Sequence, residues 1–253
     1  MIQERRDFYS MLAPYYDQIY GFVDYEQQAK LFDGMFRRFS HLSGPKTLLD
    51  LCCGTGTHML HLSKLGYKPT GLDISTEMLE VARRKLPTVS LIQGDIRSLK
   101  VEGKFGFALC WFNSILYSQP ADNFRRTLLA ISGMLEPGGS FIFDVVDRRI
   151  GLHGKEREYV SEGDRAKIYF RPRWSYTPPS SVLDLWIRFR IEEDTNIREW
   201  SDHHVLCALS FEDVKLALED AGFESYWFEK RYDTPVPWSG NGFRVFIVCT
   251  KTK

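Results

Sequence analysis

The feature that most constrains the fold is a glycine turn between a short apolar run and a helical pattern. The apolar run at 47–51 predicts a strand, and residues 57–65 carry the periodicity of a helix. Gly54-Thr55-Gly56 joins them, and glycine permits positive φ and close approach of a ligand to the backbone. A strand that passes through such a turn into a helix indicates the first unit of a parallel α/β sheet.

The same alternation of short apolar runs and amphipathic segments continues to about residue 146. It predicts strands at 69–72, 89–93, 107–112 and 140–146, and helices at 24–40, 75–86 and 123–135. A helix at 210–221 and two strands at 224–231 and 242–250 follow near the end of the chain. We therefore expect a Rossmann-like α/β fold whose seven-stranded, mostly parallel sheet ends in a C-terminal antiparallel hairpin.

Residues 155–207 do not fit this alternation. Three long segments at 165–176, 182–193 and 196–207 are rich in β-branched and aromatic residues, and turn residues separate them. The region is too long for an ordinary connection, so we predict an inserted antiparallel β cap of three strands after the fifth strand. We treat residues 1–253 as a single domain that contains this cap.

Charge and composition exclude some classes of partner. The 253 residues include 33 basic and 33 acidic side chains, so there is no general attraction to nucleic acid or to an anionic membrane. We see no signal peptide and no apolar stretch near the roughly 18 residues of a spanning helix, and we expect a cytoplasmic protein. Five cysteines without a C-x-x-C pair predict reduced thiols and no metal site.

Acidic residues stand at the ends of the second and third predicted strands. Asp73 can accept hydrogen bonds from a ribose diol, and Asp95, after Gly94, can accept one from an adenine amine. The carboxyl ends of parallel strands meet at one edge, so the glycine turn and both acids should line one ligand site. Met59 replaces the third glycine of a dinucleotide-binding pattern, and no P-loop is present, so we do not expect a pyrophosphate ligand.

These motifs resemble those of class I S-adenosylmethionine-dependent methyltransferases. The similar segments are L-L-D-L-C-C-G-T-G at 48–56, G-L-D-I-S at 71–75, Q-G-D-I at 93–96 and L-E-P-G-G at 135–139. The resemblance covers roughly residues 9–146 and 210–250. It implies S-adenosylmethionine as the cofactor, S-adenosylhomocysteine as the product and methyl transfer as the activity.

The resemblance also implies roles for individual residues. Asp50 and the glycine turn would hold the methionine end of the cofactor, and Cys52 replaces the first glycine of the family motif. An N-terminal lid at 1–22 would close over the cofactor, with Tyr15 and Tyr16 covering the sulfonium; packing of a short helix is the alternative. The other implied cofactor contacts are Asp73, Ile74, Met78, Gly94, Asp95, Ile96, Cys110 and Trp111, with core packing as the alternative for the three apolar residues Ile74, Met78 and Ile96.

The methyl acceptor should lie above the ends of the fourth and fifth strands. The polar side chains there are Asn113, Ser114, Tyr117, Asp144 and Asp147. His204 lies six residues before Ser210, a spacing found in related small-molecule enzymes, and it is our first candidate for a general base or an acceptor contact. A structural or surface histidine is the alternative. We predict Tyr15, Asn113 and His204 as catalytic residues.

These features favour methyl transfer to a small-molecule acceptor, with N-methylation ahead of O-methylation. The cap and the tyrosine-rich lid resemble those of amino-sugar and glycine-type N-methyltransferases. The alternatives are an RNA or protein methyltransferase and a non-catalytic S-adenosylmethionine-binding interaction protein. The chain lacks the Pro-Pro-aromatic and Pro-Cys motifs of nucleic-acid enzymes, so we do not expect a nucleic-acid partner. Its balanced charge and the lack of a long apolar stretch lead us to expect no membrane partner. An exposed cap sheet is compatible with a homodimer.

Overall fold

A computed structural model describes residues 9–163, 166–231 and 234–252 of the chain. Residues 1–8 of the predicted lid lie outside these ranges. In chain order the elements are α1 (Tyr16–Ile19), α2 (Tyr25–Phe39), β1 (Thr47–Leu51), α3 (Thr57–Lys64), β2 (Lys68–Asp73), α4 (Thr76–Lys85), β3 (Ser90–Gln93), β4 (Phe105–Cys110), α5 (Ala121–Met134), β5 (Leu135–Val146), β6 (Tyr159–Glu162), β7 (Lys167–Ser175), β8 (Val182–Glu193), β9 (Asn196–Cys207), α6 (Phe211–Asp220), β10 (Phe223–Glu229) and β11 (Arg244–Lys251).

The larger sheet has seven strands in the order β10-β11-β5-β4-β1-β2-β3. Its strands from β5 to β3 are parallel, whereas β11 runs antiparallel to both β5 and β10. This arrangement confirms the predicted Rossmann-like sheet with a C-terminal hairpin. No helix of the described residues is long and apolar enough to cross a membrane.

The register of the central strands brings the site residues to one edge. Leu51, the last residue of β1, pairs with Leu72 of β2 and with Cys110 of β4. The three strands therefore end side by side, and the turns that follow them lie next to one another. Strand β1 is buried along most of its length because helices cover both faces of the sheet.

The cap is a sheet of four antiparallel strands in the order β6-β7-β8-β9, so the prediction of three strands was wrong. The missing strand is β6, whose four mostly exposed residues show no alternation of polar and apolar side chains. One face of the cap packs on Leu12 and Ile19 of the lid. The cap residues buried against the lid include Ile168, Phe170, Ile187, Phe189 and Ile191.

The fourth and fifth strands of the larger sheet differ from their predicted bounds. Strand β4 ends at Cys110 because Phe112 and Asn113 both have a φ of +60°, a left-handed conformation that cannot continue a strand. Strand β5 already begins at Leu135, where its pairing with β4 is irregular before the regular register starts at Ser140. The irregularity lets the Pro-Gly-Gly turn lie within the strand.

A capping box at the start of α6 gives a test of local stability. The Ser210 hydroxyl accepts a hydrogen bond from the Asp213 N–H at 3.1 Å, and the Asp213 carboxylate accepts one from the Ser210 N–H at 2.8 Å. We expect Ser210→Ala to lower the free energy of unfolding by about 1 kcal/mol, because the Asp213 N–H in the first turn of the helix loses its acceptor. Urea unfolding measures this, with the exposed Ser98→Ala as the control; an equal effect of both substitutions would contradict it.

Candidate active site

The glycine turn after β1 is held by one carboxylate. The φ angles of Cys52, Gly54 and Gly56 are +58°, +55° and +76°, so the chain reverses through left-handed conformations. Asp73 accepts hydrogen bonds from the Gly54 N–H at 2.8 Å and the Ser75 N–H at 2.9 Å. A carboxylate has about four lone-pair sites, so Asp73 retains acceptor capacity for the hydroxyls of a ribose.

Asp50 lies buried in β1, just before this turn. It is 3% exposed, and its Oδ2 has no hydrogen-bond partner among the described residues. Burial, and then the neighbouring Asp73 carboxylate, raise the pKa of Asp50 to about 8. A buried acid without a partner fits a cationic ligand group, and the ammonium of the cofactor's methionine moiety has that charge.

The residues predicted to hold adenine do not share one environment. Ile74 is 44% exposed at the strand edge, whereas Met78 and Ile96 are buried in the core. Ile74 can therefore cover a flat apolar ligand, and Met78 and Ile96 pack the base of the site. The Gly94 N–H donates to the backbone carbonyl of Asp73 at 2.9 Å, which joins the two strand ends.

Asp95 is held by its own neighbour. Its carboxylate accepts hydrogen bonds from the backbone N–H of Arg97 at 2.8 Å and from the guanidinium Nε at 2.9 Å. The oxygen atoms expected to receive an adenine amine are thus already engaged with a cation. The sequence showed an acid after a strand but not that the short helical turn Ile96–Ser98 directs Arg97 back onto it.

The two adjacent lid tyrosines contact different parts of the molecule. Tyr16 covers the glycine turn, since a β-carbon added at Gly54 would lie 3.9 Å from its ring. Burial raises the pKa of Tyr16 well above its usual value. The Tyr15 hydroxyl instead donates to Glu193 of the cap at 2.7 Å. Tyr16 therefore lies at the glycine turn, whereas Tyr15 points to the cap. The two tyrosines do not lie together over one site, contrary to our prediction.

Asp17 fastens the lid to the cofactor turn. Its carboxylate accepts hydrogen bonds from Thr55 at 2.6 Å and Thr57 at 3.1 Å, and it pairs with Lys85 at 2.5 Å. The next residue, Gln18, donates to the backbone carbonyl of Ala166 in the cap at 2.7 Å. The lid therefore bridges the turn and the cap. Sequence reasoning missed this role because the partners lie far apart along the chain.

The loop after β4 presents an amide to the site. The Asn113 N–H donates to Asp144 at 2.8 Å, and Asp144 forms a buried ion pair with Lys230. The Oδ1 of Asn113 is buried and has no partner among the described residues, so it can accept a hydrogen bond from a ligand. Cys110 ends β4 rather than following it, and both Cys110 and Trp111 are buried.

A series of hydrogen bonds links the cap to this loop. The Nδ1 of His204 lies 2.5 Å from the Tyr117 hydroxyl, which lies 2.9 Å from the Tyr9 hydroxyl. The Nε2 of His204 lies 3.2 Å from Oδ2 of Asp202, which is within the range of an ion pair but does not have the geometry of a hydrogen bond. His204 is 1% exposed, whereas His203 points to the other face and bonds Asp184 at 2.6 Å. Tyr9 and Asp202 were not among the predicted site residues. No local pattern relates Tyr9 to His204, but Asp202 lies two residues before His204 on β9, and this spacing places both side chains on one face of the strand.

Asp147 stabilises local structure by accepting hydrogen bonds from the backbone. It accepts hydrogen bonds from the Arg149 N–H at 2.9 Å and from the Phe211 N–H at 3.0 Å. Burial raises the pKa of Asp147, but these donors and the Arg149 guanidinium outweigh it and lower the pKa overall. Among the described residues no group of three or more His, Cys, Asp or Glu side chains could hold a metal ion.

Comparison with known proteins agrees with this geometry. Residues 48–139 match a family model described as a methyltransferase domain. An N,N-dimethyltransferase of dTDP-4-amino-2,3,4,6-tetradeoxy-D-glucose from Saccharopolyspora spinosa is 26% identical over 219 residues, 82% of this chain and 80% of that protein. A dTDP-3-amino-3,4,6-trideoxy-α-D-glucopyranose N,N-dimethyltransferase from Streptomyces venezuelae is 33% identical over 48% of this chain and 50% of that protein.

Two solved structures share the fold. An S-adenosylmethionine-dependent methyltransferase from Clostridium acetobutylicum ATCC 824 superposes with a TM-score of 0.79 at 21% identity, over 97% of this chain and 99% of that one. The sugar N-methyltransferase KedS8 from Streptoalloteichus sp ATCC 53650 gives 0.78 at 24% identity, over 94% and 93%. Residues 48–139 thus form a methyltransferase domain by similarity, and the fold and the glycine turn agree with it. The relatives and the matched domain support the assignment of the chain as an S-adenosylmethionine-dependent methyltransferase.

The raised pKa of Asp50 predicts how cofactor binding depends on pH. Below about pH 8 the carboxyl is protonated, and binding of the cofactor's ammonium requires its ionisation, so binding releases a proton. We expect the affinity for S-adenosylhomocysteine to rise towards tenfold per pH unit between pH 6 and 8 and to level off above. Calorimetric titration measures this.

Asp50→Asn should flatten that pH profile, because the amide does not ionise. Asp33→Asn is the control, since Asp33 is also largely buried but pairs with Lys46 away from the glycine turn. A wild-type affinity that stays constant over this range would show that Asp50 does not receive the ammonium.

Proposed function

We propose that this enzyme transfers a methyl group to an amine nitrogen of a small-molecule acceptor. The relatives named above act on amino sugars, which supports an amine acceptor. The observation that carries the proposal is the hydrogen-bonded series Tyr9, Tyr117 and His204, which runs from the lid to the inner face of the cap, where Asp202 lies 3.2 Å from His204. When bound, the cofactor supplies an electrophilic methyl group on a sulfonium, and attack by nitrogen needs only a neutral amine in line with it.

The residues at the strand edge would hold the cofactor. Asp50 would take its ammonium, Asp73 the ribose hydroxyls, and the left-handed glycine turn would let the backbone approach the methionine chain. Ile74 offers an exposed apolar side chain to adenine. Tyr16 over the turn would exclude water and place a π face near the positive charge, which attracts cations by about 0.5–2 kcal/mol.

Two oxygen atoms that accept hydrogen bonds would orient the amine of the substrate. Asn113 and Tyr117 belong to the same loop and helical turn after β4, and the Asn113 Oδ1 is buried without a partner among the described residues. Hydrogen bonds from two N–H groups to these oxygens would direct the nitrogen lone pair towards the cofactor.

Tyr117 and His204 would also take up the proton that the methylated ammonium releases. When the Tyr117 hydroxyl donates to the unprotonated Nδ1 of His204, the Tyr117 oxygen can accept a hydrogen bond from the amine of the substrate. A proton taken from the ammonium by Tyr117 would pass to His204, where Asp202 stabilises the imidazolium. His204 thus acts through Tyr117.

The outer face of the cap is the surface that we propose for a homodimer. Trp186 and Ile197 lie on it and are 40% and 56% exposed, respectively. Analytical ultracentrifugation of the wild type and of Ile197→Asp would measure the oligomeric state.

A panel of matched amines and alcohols tests the activity. We expect wild-type enzyme to methylate amines, including amino sugars, and to leave alcohols of the same skeleton unmodified. A neutral amine nitrogen is nucleophilic without prior deprotonation, and its two N–H groups match the two hydrogen-bond-accepting oxygens of Asn113 and Tyr117, whereas an alcohol has one O–H group. Mass spectrometry of products measures it, and Asp73→Ala should weaken cofactor binding and turnover together. Cofactor binding without turnover of any amine would favour the non-catalytic alternative.

Tyr117→Phe tests the proton path. It removes the hydroxyl that joins the acceptor to His204, and we expect kcat to fall about 10²-fold while cofactor affinity stays unchanged. The matched control is His203→Gln, since His203 faces away from the site and bonds Asp184. Single-turnover kinetics across pH measures the effect; an unchanged rate and pH profile in Tyr117→Phe would remove the tyrosine from the mechanism.

A further inference from the structure

Four aromatic rings meet where the lid touches the cap. Phe22 stacks on Tyr159 with ring centroids 5.6 Å apart, Tyr159 contacts Phe170 at 5.9 Å, Phe170 contacts Tyr20 at 6.0 Å, and Tyr20 contacts Phe22 at 6.1 Å. The contacts form a closed circuit, which we call the aromatic quartet. Two members come from the segment between α1 and α2, and two come from β6 and β7 of the cap.

The quartet has a buried floor and an exposed rim. Phe170 is 8% exposed and Tyr20 is partly buried, whereas Phe22 is 61% and Tyr159 37% exposed. The two rim rings are nearly parallel, with an angle of 11° between their planes. Single exposed apolar residues are common on proteins, but a stacked pair of exposed rings beside buried aromatic rings leaves an outer ring face on which a ligand ring can stack.

The quartet is continuous with the cofactor turn and with the acceptor loop. The Tyr20 ring lies 4.7 Å from the ring of Tyr16, which covers Gly54, and 5.2 Å from the ring of Phe112, which precedes Asn113. Two ring contacts therefore separate Phe22 on the rim from Phe112, the residue before Asn113. At the usual spacing of aromatic pairs this corresponds to roughly 10 Å.

We propose that the aromatic quartet is a subsite for a planar aromatic ring carried by the acceptor. This inference rests on the proposed function and specifies it: the acceptor is an amine joined by a spacer of about 10 Å to a flat ring that stacks on Phe22 and Tyr159. The ring is an aryl group or a nucleobase, since both offer the same flat π surface.

A comparison of amines tests the subsite. Phenylalkylamines of increasing chain length are compared with unbranched alkylamines of equal length, both as substrates and in calorimetric binding to enzyme saturated with S-adenosylhomocysteine. Wild-type enzyme should bind the best phenylalkylamine several-fold to tenfold more tightly than its alkyl counterpart. Phe22→Ser and Tyr159→Ser should abolish that preference without changing kcat for the alkylamine. Phe22→Tyr should retain it, and Leu216→Ser, an exposed leucine 45% accessible on α6, should have no effect.

The outcomes separate this inference from the proposed function. Preferential binding of the phenylalkylamine without turnover would support the subsite and contradict amine methylation. Turnover of both amine series with equal KM, or a rise of KM for both series in Phe22→Ser, would overturn the subsite alone. Thymidine and phenol are then tested as competitors of phenylalkylamine binding. Competition by one of them that is lost in Phe22→Ser would support the subsite and would distinguish a nucleobase from an aryl group. Competition by neither would overturn the subsite.

Discussion

The two backbone hydrogen bonds accepted by Asp73 are the interaction on which the site depends. They tie the Gly54 N–H of the turn to the end of β2 and to the first turn of α4 through the Ser75 N–H. One carboxylate thus fixes the left-handed turn after β1 and the cap of a second helix. Its burial, together with that of Asp50 next to it, creates a site of raised pKa that is suited to a cationic ligand.

The lid couples this turn to the cap. Asp17 bonds the threonines of the turn and pairs with Lys85, and Gln18 bonds the backbone of the cap. Release of the cofactor therefore requires the lid to break polar contacts on two sides. The lid also supplies Tyr20 and Phe22 to the aromatic quartet, so in the function that we propose one segment contacts both the cofactor turn and the surfaces that would receive the acceptor.

The loop after β4 depends on a buried ion pair. Asp144 is fully buried, accepts from the Asn113 N–H and pairs with Lys230 near the ring of Trp111. Removal of either partner would leave a charge without compensation, which typically costs 3–5 kcal/mol. Because the Asn113 N–H donates to the same carboxylate, the pair helps to hold Phe112 and Asn113 in their left-handed conformations.

The sequence by itself determined the larger sheet and the edge of it at which the glycine turn and Asp73 lie, because hydrophobic periodicity and glycine turns are local signals. It located β1 at 47–51 and the acid at Asp73, and parallel strands necessarily bring their ends together. Strand β6, the engagement of Asp95 with Arg97 and the divergence of Tyr15 from Tyr16 were decided only by the tertiary structure. So was the assembly of Tyr9, Tyr117 and His204, because contacts between residues about a hundred positions apart depend on how the lid and the cap pack, and no local pattern records that packing.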